Sequence, residues 1–194
     1  KEIRMTNVLA EKKGKLVFDI EGNGLLPELT DIWMLVIKDR VTGTIYKFSD
    51  HTSSLPSMED GLRMMSNAEV LIGHNVFGYD LPALEKIYGW KLPFDTKVHD
   101  TWILSMLNKF KRGHLHGLGG WGTHLGFKKG DFDDWSKFSN EMLRYCVNDV
   151  MLNDRVYDVL LREAAALIKR NPLYSKRIEV EMYIARLNGM LNTK

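Results

Sequence analysis

Leu16-Val17-Phe18-Asp19-Ile20-Glu21-Gly22-Asn23-Gly24 is the stretch on which the reading of this chain turns. Side chains on a strand alternate faces, so an Asp-x-Glu closing an apolar run puts Asp19 and Glu21 on one face and Phe18 and Ile20 on the other. The glycines then end the strand. Neighbouring carboxylates repel, and a buried strand end tolerates them where a divalent cation or a shared proton holds them. The triplet is short enough to arise by chance. A polar strand end is the plain alternative, and the metal reading depends on finding further carboxylates.

A chain of 194 residues is long enough for one substantial core, and 44% hydrophobic with 27% charged residues is the composition of a soluble globular domain. One domain with a tail is the expectation. No apolar run approaches the roughly 18 residues of a membrane span. Lys1, Glu2 and Arg4 leave no room for the apolar core of a signal peptide, so a cytosolic location with no membrane partner is expected. Cys146 is the single cysteine, which excludes an intrachain disulfide and reads as a small buried apolar side chain. The formal charge of +2 does not advertise nucleic-acid binding, so any basic patch must be local. Lys1 in place of an initiator Met suggests a piece of a longer polypeptide.

Along the chain, Ile32 to Ile37 and Thr44 to Phe48 flank the turn residues Asp39 to Gly43 as a hairpin, so three successive strands are expected to be antiparallel. Pro56 and Glu59-Asp60 announce a helix carrying Leu55, Met58, Leu62 and Met65 at helical spacing. Ala68 to Gly73 is a further strand, running into His74-Asn75 and then a helix with Pro82 in its first turn. Asp80 stands at that helix start, where an N-cap is the local explanation, and Asn75 reads locally as a turn residue. Val98 to Thr101 is a strand end entering another helix, with Asp100 and Thr101 as caps.

From Asn108 to Gly130 the chain has no acidic residue. Lys109, Lys111, Arg112, Lys128 and Lys129 make its one local basic patch, with His114, His116 and His124 among glycines. Phosphate contact and simple solvation are both open readings there, while nothing nearby supports a zinc site. Asp131, Asp133 and Asp134 close the segment. Ser139 opens the longest helical pattern, which Asn171-Pro172 ends. Tyr145 and Asp149 share its inner face, where an acid requires a hydrogen-bond donor, an Arg or a metal. Ser175 to Leu191 is helix-like, with Val180, Tyr183, Ile184 and Leu187 as an apolar stripe that has little of this chain left to cover it.

Asp19, Glu21, Asp80 and Asp149, with Tyr145 one helical turn before the last, stand in an order more specific than any one of them. The segments FDIEGNGLL, GHNVFGYDLPAL and YCVNDV, within similarity over roughly residues 15 to 165, resemble the proofreading exonuclease superfamily named for its four acids, in the subclass with a tyrosine in the third motif. HGLGGWGTHLGFKKGDFDDW and the Asn75-to-Asp80 spacing resemble the 3′–5′ exonuclease domain of phage-type family A DNA polymerases. The resemblance implies a ribonuclease-H-like α/β fold: a mixed five-stranded sheet, three strands antiparallel and then parallel, flanked by helices. The five strands read from the residues agree.

By the same resemblance, Asp19, Glu21, Asp80 and Asp149 would bind two divalent ions, Mg²⁺ with Mn²⁺ able to substitute, about 4 Å apart. Tyr145 would orient the attacking water. Leu25 would wedge between the last bases of a single-stranded or frayed DNA 3′ end, with ordinary core packing as its alternative. Asn75, Lys111 and Arg112 would touch the strand. Gly117, Gly119 and Gly120 depart from the pattern, which puts the helix before Trp121 in doubt. Residues 1–170 would be the exonuclease domain and 171–194 the opening of a polymerase domain acting in cis, in a phage or bacterial replication context. An exoribonuclease of the same superfamily and a nucleic-acid-binding domain that has lost catalysis are the alternatives.

Overall fold

β1 (Lys15–Gly22) is the middle strand of a five-stranded sheet, and Leu16, Val17, Phe18 and Ile20 are buried because both of its faces are covered. The computed structural model describes residues 14–127, 130 and 132–192. The expected lead-in at 1–13, and Lys128, Lys129 and Asp131 of the basic segment, lie outside the described residues. β2 (Ile32–Asp39) pairs antiparallel with β1, setting Asp19 opposite Val36 and Glu21 opposite Met34, and β3 (Ile45–Phe48) adds antiparallel to β2. On the other side β4 (Val70–Gly73) runs parallel to β1 and β5 (Lys97–Asp100) parallel to β4, so the order is β3-β2-β1-β4-β5. This is the expected mixed sheet.

The topology itself selects a place for chemistry. After β1 the chain turns toward β2, and after β4 it turns the other way toward β5. The connections leaving the ends of β1 and β4 therefore diverge, which opens a crevice where parallel strands finish. Asp19 and Glu21 sit at that end of β1. The β1 ladder shifts register between Glu21 and Gly22, bending the strand immediately after the second acid. Gly22 is required there, because a Cβ would stand 2.5 Å from Leu29 Cδ1 and 3.2 Å from the Tyr79 hydroxyl.

Helices cover both faces. α1 (Met58–Ser66) starts at Ser57, whose side chain accepts from the Asp60 amide, and buries Met58, Leu62 and Met65 at the predicted spacing. α2 (Asp80–Tyr88) follows β4, and α3 (Thr101–Asn108) follows β5 with Asp100 as its N-cap. Thr101, expected as a second cap, is instead the first residue of the helix. α5 (Asn140–Arg170) is capped by Ser139 and lies across β1 and β2, burying Met142, Cys146, Asp149, Asn153, Val156 and Leu160. Lys38 of β2 and Arg40 just after it fix its position through Asp154, each at 2.5 Å, and Arg40 also reaches Asp158.

Two expectations change. The glycines before Trp121 do not prevent a helix: α4 spans Leu118–Leu125 and includes Gly119 and Gly120. Tertiary packing overrides propensity, since Trp121 is wholly buried and a Cβ on Gly120 would lie 2.5 Å from the Leu115 carbonyl oxygen. The C-terminal helix also has more to pack against than its stripe suggested. α6 (Leu173–Asn192) rests on α2, α3, α5 and β5, with Tyr174 and Met182 buried and Ile178 and Ala185 packed on the core. Val180, Tyr183, Ile184 and Leu187 form the opposite, exposed side.

Candidate metal centre

Three elements meet at the end of β1. Alternation sends Asp19 and Glu21 toward α5, where Cys146 sits with its Sγ 3.6 Å from Asp19 Oδ2 and 3.7 Å from the Asp19 carbonyl oxygen. A carboxylate oxygen of Asp19, one of Glu21 and the Cys146 sulfur all lie within 4.8 Å of one another. Cys146 is fully buried, and burial together with the charges of Asp19, Glu21 and Asp149 pushes its thiol up. Asp149, three residues further along α5, is itself buried and belongs to the same electrostatic neighbourhood.

Asp80 arrives from α2. It is the first residue of the helix, and the cap position is Tyr79, which makes no side-chain capping bond. The local N-cap explanation is therefore set aside. Asp80 Oδ1 instead accepts, at 3.3 Å, from the amide of Ile20, the residue between the two acids of β1. Burial raises its carboxyl to about 7, with Asp100 adding to the rise and the amides of Asp80 and Ile20 opposing it. Tyr79 donates to the Gly24 carbonyl oxygen at 2.7 Å, tying the start of α2 to the loop after β1. Its phenol is pushed up to about 12 by burial and by Asp80, Glu21 and Asp19. Carboxylates held this close in a buried place, with one of them kept near neutral pH, form a donor set suited to hard divalent cations.

Tyr145 precedes Asp149 by one turn and is half-buried, its ring 5.6 Å from Trp135 and 5.9 Å from Phe132. The Trp33 indole donates to the Trp135 carbonyl oxygen at 3.0 Å, so β2 anchors the loop that holds this tyrosine. Leu25 is 75% exposed, which removes core packing as its explanation. Asn75 is also exposed, at φ +59°, and its amide donates to Asp100 Oδ1 at 3.0 Å.

Arg112 of the basic patch is not a companion of this centre. Arg112 has a side chain only 4% exposed, bonded to both oxygens of Glu163 at 2.9 and 2.6 Å and to the Ser105 carbonyl oxygen, with its guanidinium 4.7 Å from the Trp121 ring. Glu163 is fourteen residues after Asp149 on α5, about 21 Å along the helix axis. The expectation that Arg112 faces a strand is thereby corrected: its fork is engaged inside the fold. Lys111 is exposed beside it. The histidines are engaged too, His116 with Ser105 Oγ at 2.7 Å and with the Phe110 carbonyl oxygen at 2.9 Å, and His114 stacked on His124.

Sequence reasoning missed three participants. Cys146 is buried, as its reading as a small apolar side chain expects, and its thiol also reaches Asp19; its place between Tyr145 and Asp149 on the inner face of α5 is the available signal. Asp100 was read as a cap only. It also gathers the amides of Asn75 and Phe77, at 3.0 and 3.5 Å, and so shapes the loop that delivers Asp80. Tyr79 carried no local signal, because its partner Gly24 lies 55 residues away.

No family model matches the chain. Two curated proteins do, the DNA-directed DNA polymerases of Escherichia phage T7 and Enterobacteria phage T3, each 28% identical with 76% of this chain covered. The chain spans 27% of the length of those relatives. Among solved structures, Brucella melitensis NrnC with bound Mg²⁺ is similar at a TM-score of 0.68 and 21% identity, over 97% of this chain and 89% of that one. NrnC bound to pGG gives 0.69 at 20% identity with the same coverage. The catalytic core of RRP6 from Trypanosoma brucei gives 0.58 at 16%, over 91% of this chain and 46% of that one. Fold likeness and sequence likeness agree with the motifs: the fold is ribonuclease-H-like, and the similarity to part of the phage polymerases supports the resemblance to a proofreading exonuclease domain.

Proposed function

We propose that this domain is a metal-dependent 3′–5′ exonuclease that removes nucleotides from single-stranded or frayed DNA 3′ ends, and that it proofreads for a polymerase domain carried in cis. The observation that carries the reading is convergence: β1, α2 and α5, each more than 50 residues from the next along the chain, bring Asp19, Glu21, Asp80 and Asp149 to one buried place. Carboxylates gathered at one buried place are a donor set that suits a hard divalent cation. The four acids would hold two divalent ions, Mg²⁺ or Mn²⁺, which when bound supply a nucleophilic hydroxide at neutral pH and stabilise the leaving 3′ oxyanion. Tyr145, steadied by Phe132 and Trp135, orients the attacking water through its hydroxyl. Leu25 separates the terminal bases, and Asn75, on the loop set by Asp100, touches the strand.

Residues 1–170 make up the exonuclease unit in this reading, and 171–194 lead toward the polymerase domain. The phage relatives' greater length supports that division, as does the apolar outer side of α6. The test is release of nucleotides from 5′-labelled single-stranded DNA with Mg²⁺ or Mn²⁺. Stepwise shortening from the 3′ end is expected. Asp19→Ala should remove at least about 10³-fold of the rate, as loss of a shared metal ligand would, and Tyr145→Phe about 10- to 100-fold. No shortening by the folded protein in either metal would favour a binding domain. The likeness to NrnC bound to pGG and to the RRP6 core supports a second reading, action on short RNA. Matched DNA and RNA oligomers decide between them, and faster cleavage of RNA would replace the first reading by the second.

A further inference from the structure

Buried Ser105 of α3 is the hub of a polar network that holds one surface loop. The Trp121 indole donates to Ser105 Oγ at 3.3 Å, the Ser105 hydroxyl donates to His116 Nδ1 at 2.7 Å, and His116 Nε2 donates to the Phe110 carbonyl oxygen at 2.9 Å. Each hydrogen in that chain has an acceptor. The Ser105 carbonyl oxygen takes the Lys109 amide at 3.3 Å and the Arg112 guanidinium at 3.2 Å. A satisfied buried network specifies one geometry, so the backbone from Lys109 to Arg112 is fixed. Its outward side is not core: Lys109 and Lys111 are exposed, and Phe110 between them is 69% exposed. An aromatic ring so presented adds little burial to the fold, while a rigid mount lowers the entropy lost on binding.

The flanking lysines decide the class of partner. Lys is depleted in protein–protein interfaces, whereas lysine for phosphate beside an aromatic ring for a base is the combination that grips a single strand. No acidic residue lies between Asn108 and Gly130, and the nearby Glu163 carboxylate is engaged by Arg112. α3 also joins this loop to the candidate metal centre. At its start the Thr101 hydroxyl donates to Asn153 Oδ1 at 2.7 Å, one turn past Asp149, and at its end Asn108 donates to the Leu160 carbonyl oxygen at 2.8 Å. The helix therefore runs beside α5, away from the acids. Leu160 is eleven residues after Asp149, about 16 Å along the axis, which is the length of about five stacked nucleotides.

We propose that Lys109, Phe110 and Lys111 form a second hold on the nucleic-acid strand, about five nucleotides upstream of its 3′ end, with Phe110 stacked on a base and the lysines on the flanking phosphates. The inference rests on reading the crevice as the seat of that 3′ end. A hold of this kind depends on strand length and not on sequence, since every base has a π-face.

The test is equilibrium binding of labelled oligothymidylates, from about four to about twelve nucleotides long, measured by fluorescence anisotropy in EDTA so that nothing is hydrolysed. Wild-type affinity should rise as the strand passes about five nucleotides. Phe110→Ala, with an unchanged urea midpoint, should weaken the long strand at least about fivefold, as loss of one stacked base would, and the short one less than about twofold. Lys109→Gln with Lys111→Gln should lower the slope of log affinity against log salt by about 1.4, at about 0.7 per phosphate of a single strand. Phe110→Ala binding every length as the wild type does overturns the proposal, and so does a loss equal at all lengths or an unchanged salt slope in the lysine variant. Mg²⁺-dependent hydrolysis with binding indifferent to Phe110 defeats this inference alone. Length-dependent binding without hydrolysis defeats the exonuclease reading and leaves the loop a strand-binding site.

Discussion

The two ends of α5 treat their acids differently. In the later turns, Asp154 pairs with Lys38 and Arg40, and Glu163 grips Arg112 through both oxygens, so each of these carboxylates has a cation from this chain. In the early turns, Asp149 and Cys146 face Asp19 and Glu21, and acids are gathered to acids. One helix therefore carries a half tied into the fold by ion pairs and a half that joins a cluster of acids. The acids of both halves are buried or partly buried; pairing with Lys38, Arg40 and Arg112 marks those of the later half as structural, while the early half carries the acids of the proposed centre.

The largest test of that contrast is Arg112→Ala. Removing the guanidinium breaks the bonds to Glu163, to the Ser105 carbonyl oxygen and to the face of Trp121. Loss of one partner from a fully buried pair costs about 3–5 kcal/mol; because Glu163 is 32% exposed, about 2–3 kcal/mol is expected here. Urea unfolding measures it. If Arg112→Ala were as stable as the parent and instead lost affinity for single-stranded DNA, the later half of α5 would be a strand-binding surface and the contrast would fail.

That outcome also bears on what the sequence made legible. The sheet could be read because each strand is a local apolar run ended by turn residues, and because β1 declares its two faces by alternation. The four acids could be read because they sit in three short segments whose order is itself informative. Arg112 could not be placed: a cation in a glycine-rich segment looks alike whether it meets solvent or a glutamate 51 residues later. Tyr79 and Asp100 were obscured for the same reason, since their value lies in the backbone groups of Gly24, Asn75 and Phe77 that folding brings to them. Propensity alone argues against the helix at Leu118–Leu125, because it takes no account of a buried Trp121.

The turn of α5 that carries Tyr157 gives a second test, read through pH. His99 of β5 has its Nδ1 2.6 Å from the Tyr157 hydroxyl, and burial, with Lys15 and Lys97 adding, pushes its imidazole down to about 4. An imidazole whose pKa is lower folded than unfolded contributes no difference above about 6.5, where both states are neutral. Its unfolded form takes up the proton first as pH falls, so stability is lost between about 6.5 and 4, on the order of 3 kcal/mol in full. Asp80, raised to about 7 by burial, acts with the opposite sign: folding is penalised above 7 and the penalty is relieved as pH falls. The difference between wild type and His99→Gln isolates the histidine. Denaturant midpoints at pH 7, 6 and 5 should fall more steeply in wild type, and parallel profiles would remove His99 from the account.

The smallest effect is expected at Leu25, and it sharpens the contrast from the substrate side. The Leu25 carbonyl accepts from the amides of Glu28 and Leu29 at 3.0 and 2.8 Å, and Tyr79 holds the preceding Gly24, so a side chain that is 75% exposed stands on a fixed turn beside the acids. An apolar group so presented does little for stability, and Leu25→Ala should change the unfolding free energy by less than about 0.5 kcal/mol. Its contribution belongs to fraying. Splitting the last base step of a duplex costs a few kcal/mol, part of which an inserted apolar side chain offsets, while a single strand needs no splitting. Hydrolysis of a paired 3′ end should therefore drop several-fold in Leu25→Ala and hydrolysis of a single strand much less. Equal losses on the two substrates would make Leu25 a general contact and leave strand separation to some other part of the crevice.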